Sequence, residues 1–406
     1  MEASLPELIE RDCALAATLT DQTTASPRGA PGAAPTVLLT GATGYLGGYI
    51  ARDLLLRGAT VLCPVRGEEP ARRLRTRLGA FGITPGAAAV ALPADLTQPA
   101  LGLPLPDYQR VCDETDVIIH CAASVNLAAG YAQCRDANVT ATLAMLRVAT
   151  TGRPKRLHHI STFAVFFGAR AAGRHTIAAG DSPRAGDLPG LGYPATKLAA
   201  EHLVTAALRQ GLLAPGHAVI HRVPMLPGDS AGLVHAAEIT AITIAAMAET
   251  GAAPATRHGI HGLLVDQASA AVTAIALAAP ALIADARPAL NHFQRRITTS
   301  CFTRALRDAG RDIREIPPAD WITLLTRHAR QQLHSGRRGP ARTLAAMRDI
   351  LPYIAEETPA HALPDICHDQ EQLLLARLGV PSPPIADSVL AAIARNAAPL
   401  TARPPA

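Results

Sequence analysis

Three glycines set three residues apart constrain this chain most. Gly41, Gly44 and Gly47 come directly after Thr36-Val-Leu-Leu-Thr40. That run has the length and β-branching of a short buried strand. The helical stretch Leu46 to Arg57 follows. A strand that enters a helix through a glycine turn lets backbone N–H groups approach a pyrophosphate at the helix N-terminus. The spacing is GxxGxxG rather than GxGxxG, so the flanking strand and helix, more than the glycines, carry the reading.

Four more strand-like runs follow: Thr60 to Val65, Ala88 to Asp95, Val117 to Ala123 and Arg156 to Val165. Helical stretches separate them, Val139 to Thr150 among these. Alternation of this kind predicts an α/β fold with a doubly wound parallel sheet of the Rossmann type. The second strand ends at Arg66, where an NAD site would carry an acid for the ribose 2′-hydroxyl. An arginine suits the 2′-phosphate, so NADP(H) is the expected cofactor. Arg72, Arg73 and Arg75 reinforce the basic character. Asp95-Leu96, closing the third strand, could meet the adenine. Val117 to Ala123 runs into a small-residue loop that would pass under the cofactor.

Composition narrows the class. The 406 residues allow two or three domains, and 49% hydrophobic residues are enough for a sizeable core. The net charge is +5, but aromatic residues are 3% and do not interleave with basic ones. A nucleic-acid groove is therefore not expected. Seven scattered cysteines without a CxxC pair argue against disulfides and zinc. His158 and His159 alternate across a strand, and Cys367-His368-Asp369 lacks a distant partner, so no metal is expected. The acidic N-terminus shows no signal peptide. The uncharged run Ala268 to Ala284 is alanine-rich and broken by Pro280, which fits a buried element better than a membrane span. A soluble, cytoplasmic protein is expected. Residues 1–35 read as a short helix and flexible linker, 36–227 as the nucleotide-binding domain, 228–395 as a mainly helical substrate domain with a strand returning to the sheet near 262–266, and 396–406 as a flexible tail. Within the helical region, 235–250 and 320–360 are expected to be helical.

The fifth strand ends in Ser161-Thr162, and Gly192-Tyr193-Pro-Ala-Thr-Lys197 opens a helix reaching about Gln210. Tyr193 and Lys197 are four residues apart and share a helix face. A free tyrosine, with a pKa of about 10, is a poor acid at neutral pH. A neighbouring ammonium would lower that pKa. A hydroxyl from Thr162 or Ser161 could hold a carbonyl oxygen. The chain has only two lysines, Lys155 and Lys197, among 38 lysines and arginines. Lys197 falls where a compact ammonium is needed. Lys155 has no such role, and its replacement by arginine is expected to be tolerated.

These motifs together resemble the extended short-chain dehydrogenase/reductase superfamily. Further segments are similar to its thioester reductase branch, the terminal reductase domains of nonribosomal peptide and polyketide synthases and of carboxylic acid reductases. They are Ala123-Ser-Val-Asn126, Tyr131, Ala137-Asn138-Val139, His221 to Ser230, Pro318-Ala-Asp-Trp321 and Leu375 to Ile385. The likeness spans about 36 to 395. It implies Thr162, Tyr193 and Lys197 as the catalytic residues. For the cofactor it implies Gly41, Thr43, Gly44, Tyr45, Leu46 and Gly47 at the phosphates. Arg66 and Arg73 would hold the 2′-phosphate, and Asp95 and Leu96 the adenine. Cys121, Ala122, Ala123, Asn138, Ser161, Tyr193, Lys197, Pro224 and Met225 would line the ribose and nicotinamide side. Three positions depart from the pattern: Ala94, Val223-Pro224, and Thr196-Lys197-Leu198. The resemblance implies NADPH-dependent release of an acyl thioester as an aldehyde, with onward reduction to the alcohol left open. The acyl group would ride on a carrier protein met in trans, or on CoA. An alternative is another extended member, such as a nucleotide-sugar epimerase/dehydratase or a hydroxysteroid-type dehydrogenase. Ile322 to Arg348 holds six arginines and no acid. It reads as a solvated basic helix or as a docking face for an acidic carrier protein.

Overall fold

The computed structural model describes residues 4–24, 34–188, 190–285 and 287–400. Helix α1 (Leu5–Cys13) leads the chain, and β1 (Thr36–Thr40) begins the sheet. Every residue of β1 is buried. A strand covered on both faces reads as a continuous apolar run, which explains Thr-Val-Leu-Leu-Thr. After β1 come α2 (Tyr45–Leu56), β2 (Thr60–Val65), α3 (Pro70–Gly79), β3 (Ala89–Pro93), α4 (Leu105–Glu114) and β4 (Val117–His120). Then follow α5 (Tyr131–Arg135), α6 (Ala141–Ala149), β5 (Arg156–Thr162), α7 (Gly192–Arg209) and β6 (Ala218–Val223). The C-terminal region supplies α8 (Ile239–Thr250), β7 (Ile260–Gly262), α9 (Val265–Leu277), β8 (Ala289–Asn291), β9 (Arg295–Ile297) and α10 (Thr299–Asp308). It continues with α11 (Pro318–His334), α12 (Pro340–Ala346), α13 (Leu351–Ala355), α14 (Asp369–Arg377) and α15 (Asp387–Ala397).

Among the described residues the main sheet has seven strands in the order β8-β6-β5-β4-β1-β2-β3, and every pairing is parallel. The strand order reverses between β1 and β4. A doubly wound sheet opens its ligand crevice at that point, outside the C-terminal strand ends. Of the uncharged run expected to be buried, Ala268 to Leu277 lies in α9, packed against α2, while Leu282 beyond it is exposed. No helix of the described residues is long and apolar enough to cross a membrane. The C-terminal helices close around their own core, which includes the single tryptophan. Trp321 is fully buried and donates Nε1–H to the Ala252 carbonyl at 3.0 Å.

Several boundaries differ from the sequence reading. The fourth strand stops at His120 rather than Ala123, and the fifth at Thr162 rather than Val165. Thr162 caps the next turn by accepting the Ala164 N–H at 3.1 Å, which ends the strand. The helix expected from Val139 starts earlier, at Tyr131, and passes through a π turn at Asp136–Thr140. The helix expected from 235 begins at Ile239, where Glu238 caps it. Residues 320–360 hold three helices, α11 to α13, with breaks between them.

The strand returning to the sheet is β8, not 262–266. The segment β7 instead pairs antiparallel with β9 and touches the sheet only through a bridge from Gly262 to Met225. The tail expected from 396 is packed at its start, where Asn396 donates to the Gly232 carbonyl at 2.8 Å and Ala397 is buried. Residues 401–406 and most of the expected linker, 25–33, lie outside the described residues.

A polar seam ties the C-terminal region to the sheet. His158 Nδ1 lies 3.0 Å from His221 Nε2, His221 Nδ1 lies 2.9 Å from His292 Nε2, and His292 Nδ1 lies 2.6 Å from Glu371 Oε1. All four groups are buried. A carboxylate accepts, so His292 donates its Nδ1–H to Glu371. Burial pushes the His158 pKa down to about 3 and keeps His221 neutral as well.

Candidate active site

The glycine turn forms a tight cradle. Gly41 has φ +74°, and a Cβ there would stand 2.8 Å from the Ala122 nitrogen. A Cβ at Gly47 would stand 2.1 Å from the Gly41 carbonyl oxygen. Neither position can carry a side chain. Gly44 is the exposed N-cap of α2, and no side chain caps it. The first-turn N–H groups of α2 are therefore left to an outside acceptor, as a phosphate site requires. Thr43 and Tyr45 are half-buried beside the turn, and Leu46 is buried beneath it. The Tyr45 ring stacks on His235 at 4.9 Å between ring centroids.

The cradle extends along the strand ends. Arg66 is exposed just beyond β2, and no ion pair engages it among the described residues. It is free to meet a phosphate. Arg73 turns a guanidinium N–H back onto the Arg66 carbonyl, so it shapes this loop. Asp95 accepts the Thr97 N–H at 3.0 Å and its hydroxyl at 2.8 Å. The Thr97 N–H bond is the largest cause holding its carboxyl below the usual range, with Arg66 adding to it. Leu96 is half-buried next to it. Cys121, Ala122 and Ala123 form the loop leaving β4. Burial pushes the Cys121 thiol up to about 11, which keeps it protonated and a poor nucleophile. The glycine cradle, uncapped helix start and unpaired Arg66 fit a dinucleotide phosphate group.

Two residues expected at the cofactor do other work. Asn138 is fully buried. Its Oδ1 accepts the Ser124 N–H at 2.7 Å, and its Nδ2 donates to the Ser124 carbonyl at 3.1 Å and to Thr196 Oγ1 at 2.8 Å. It pins the β4 loop to α7. Ser161 is also buried, and its hydroxyl donates to Glu201 Oε1 at 2.6 Å. Successive residues of a strand alternate faces, so Ser161 and Thr162 cannot both serve the crevice.

Tyr193 and Lys197 stand on successive turns of α7, both buried. Thr162 ends β5 where it packs against α7. Burial raises the Tyr193 pKa, and the nearby Thr162 hydroxyl offsets part of the rise. The expected lowering of the tyrosine pKa by Lys197 is not what the structure shows. The Lys197 ammonium donates instead to the Ile160 carbonyl at 2.6 Å. Burial lowers its own pKa to about 8, while Cys121 and Glu201 pull it upward.

Sequence reading missed the group behind this pair. Glu201 lies one turn beyond Lys197 and is buried with Arg222, which donates to it through Nη2 at 2.7 Å and Nε at 3.1 Å. Residues 160 and 161 of β5 are thus held by successive turns of α7. The offset of four from Tyr193 to Lys197 to Glu201 was the available signal. Arg77 was also missed. It donates to the Tyr45 carbonyl at 2.9 Å and steadies the start of α2. Pro224 and Met225 leave the C-terminal end of β6, and Met225 turns toward the C-terminal core.

Residues 39–272 match the family model described as "Male sterility protein", an NAD-binding family. The chain is 31% identical over 257 residues to a linear gramicidin synthase subunit of Brevibacillus parabrevis, covering 61% of this chain and 5% of that protein. It is 28% identical over 352 residues to the L-2-aminoadipate reductase large subunit of Penicillium chrysogenum, covering 82% of this chain and 25% of that one. The chain thus spans a quarter or less of the length of these curated relatives. Among solved structures it is similar to the terminal R domain of the myxalamid PKS-NRPS biosynthetic pathway. The TM-score is 0.82 at 25% identity, covering 97% of both chains.

Proposed function

Because the chain belongs to the male sterility protein family, in the thioester reductase branch of the extended short-chain dehydrogenases/reductases, we propose that it reduces an acyl thioester to an aldehyde with NADPH. The observation that carries this reading is Tyr193 and Lys197 buried on successive turns of α7, with Lys197 bonded to the Ile160 carbonyl two residues before Thr162 at the C-terminal end of β5. Bound reduced nicotinamide supplies a hydride. Thr162 and Tyr193 hold the thioester carbonyl oxygen as it gains charge, and Tyr193 gives it a proton. Lys197, held on the Ile160 carbonyl, would offer its ammonium to the ribose. Loss of the thiol from the resulting hemithioacetal leaves the aldehyde. Gly41, Gly44 and Gly47 would hold the pyrophosphate and Arg66 the 2′-phosphate. Burial keeps Cys121 protonated, so no covalent thioester on it is needed.

The relatives' names fit an acyl group delivered on a carrier. We propose that this carrier is a separate acidic protein docking on α11 and α12. Arg327 and Arg330 on α11, Arg337 and Arg338 between the two helices, and Arg348 just past α12 are exposed. None of them has an acidic partner within ion-pair distance among the described residues. Exposed Leu333 sits among them as an apolar contact. Changing Arg330 and Arg337 to Glu should raise KM for a carrier-bound substrate by about tenfold or more. KM for the same acyl group on pantetheine should stay put. An equal change in both would remove the docking face from the account.

A further inference from the structure

Away from the nucleotide crevice, the far edge of the sheet holds a cavity. Helix α7 packs on β5 and β6, while β8 extends the sheet one strand further. On the α7 side β8 is bordered by a loop, and Gly180 donates its N–H to the Ala289 carbonyl at 3.1 Å. The space between loop 180–183, the second half of α7 and the β6–β8 floor is about 290 Å³. That is close to the lower end of small-molecule pockets, roughly 300–1,000 Å³, and far more than one water needs.

The walls are rich in donors and poor in free acceptors. Glu201 and Arg222 lie buried in the wall, and the carboxylate is fully engaged. Its Oε1 accepts the Ser161 hydroxyl at 2.6 Å and Arg222 Nε at 3.1 Å, and its Oε2 accepts Arg222 Nη2 at 2.7 Å. Arg222 Nη1 is nearly unspent, with only a long contact to Asn291 Oδ1 at 3.4 Å. Arg209, two turns beyond Glu201 on the same helix face, lines the cavity and is exposed. No ion pair engages it among the described residues. The Thr205 and Ser182 side chains line the cavity, and their hydroxyls make no hydrogen bond among the described residues. Ile220 and Leu208 add apolar wall. A cation entering this space would meet two guanidinium groups and no uncommitted carboxylate. An anion would gain charge-assisted hydrogen bonds from both arginines.

We propose that this cavity binds an organic anion, a carboxylate or phosphate group held by Arg209 and Arg222 on a short apolar body packed against Ile220 and Leu208. The occupant lies against the helix that carries Tyr193 and Lys197 but outside the crevice between β1 and β4. The test is calorimetry on the full chain at saturating NADP+, so that the glycine cradle and Arg66 are filled before the titration. The titrants are hexyl phosphate, hexanoate, inorganic phosphate and hexylammonium. At least one organic anion should bind saturably, about tenfold or more tighter than inorganic phosphate, because its body buries apolar surface. The tighter of the two identifies the headgroup. Hexylammonium should show no saturable binding. Arg209→Gln, a surface change, should weaken the tighter anion by about tenfold through loss of a charged hydrogen bond. Thr205→Phe, which fills the cavity, should abolish its binding. Should that variant misfold, Arg209→Gln carries the comparison. The site is overturned by no saturable binding of either organic anion, by inorganic phosphate or hexylammonium binding as tightly, or by an affinity unchanged in Arg209→Gln.

Discussion

Lys155 and Lys197 are the only lysines in a chain that otherwise uses arginine, and both are buried. The two share a local chemistry. Lys197 donates to one backbone carbonyl, and Lys155 donates to those of Thr151 at 2.7 Å and Arg153 at 2.6 Å. A compact ammonium fits such a pocket, and a planar guanidinium does not. The sequence expectation that Lys155→Arg is harmless is therefore reversed. That variant should lose about 1–3 kcal/mol of stability through overpacking, and urea denaturation measures it. Lys197 makes a second prediction. Its pKa is lowered to about 8, so its charge is present below that pH and lost above it. The pH profile of kcat/KM should fall by about tenfold per unit above pH 8. A profile flat to pH 10 would show that the ammonium is not required. Tyr193 and Lys197 were legible because their offset is local and lies on one helix. Glu201, Arg222 and the true partners of Asn138 and Ser161 were not, because each contact joins elements far apart in the chain.

At the level of elements, the strand–glycine–helix unit was readable from composition and order alone. Its glycines are required by close backbone approach, which no other residue satisfies. The last strand was not readable. Ala289–Asn291 is three residues long and carries no alternation. Its place in the sheet is marked by side chains on both faces. Asn291 meets Arg222 on one side at 3.4 Å, and His292, just past the strand, joins the histidine seam on the other. That seam predicts a cost for breaking it. His292→Leu would leave buried Glu371 without its donor, destabilising the fold by about 1–3 kcal/mol. Chemical denaturation, with hydrogen exchange in α14 as the local readout, measures the effect. Unchanged stability and unchanged exchange would mean the seam holds nothing. The sequence reading treated His158-His159 as a metal question, because periodicity reveals which face a residue takes and not what waits there.

For the whole molecule, the sheet presents the glycine cradle and the Tyr193–Lys197 turns of α7 at one edge, and the C-terminal helices pack around a core of their own. The broad architecture was legible because alternating strands and helices leave few ways to close a parallel sheet. The lie of the C-terminal region was not, since its short strands, β8 excepted, pair with one another rather than with the sheet. The central claim is that hydride reaches an acyl thioester carbonyl here and that Tyr193 supplies the proton. The most direct measurement combines the protein, NADPH deuterated at the transferring position and octanoyl-pantetheine, with mass analysis of the products. The account predicts octanal carrying one deuterium, an equivalent of free thiol, and loss of nearly all turnover in Tyr193→Phe. Undeuterated aldehyde, or full turnover by Tyr193→Phe, would contradict it.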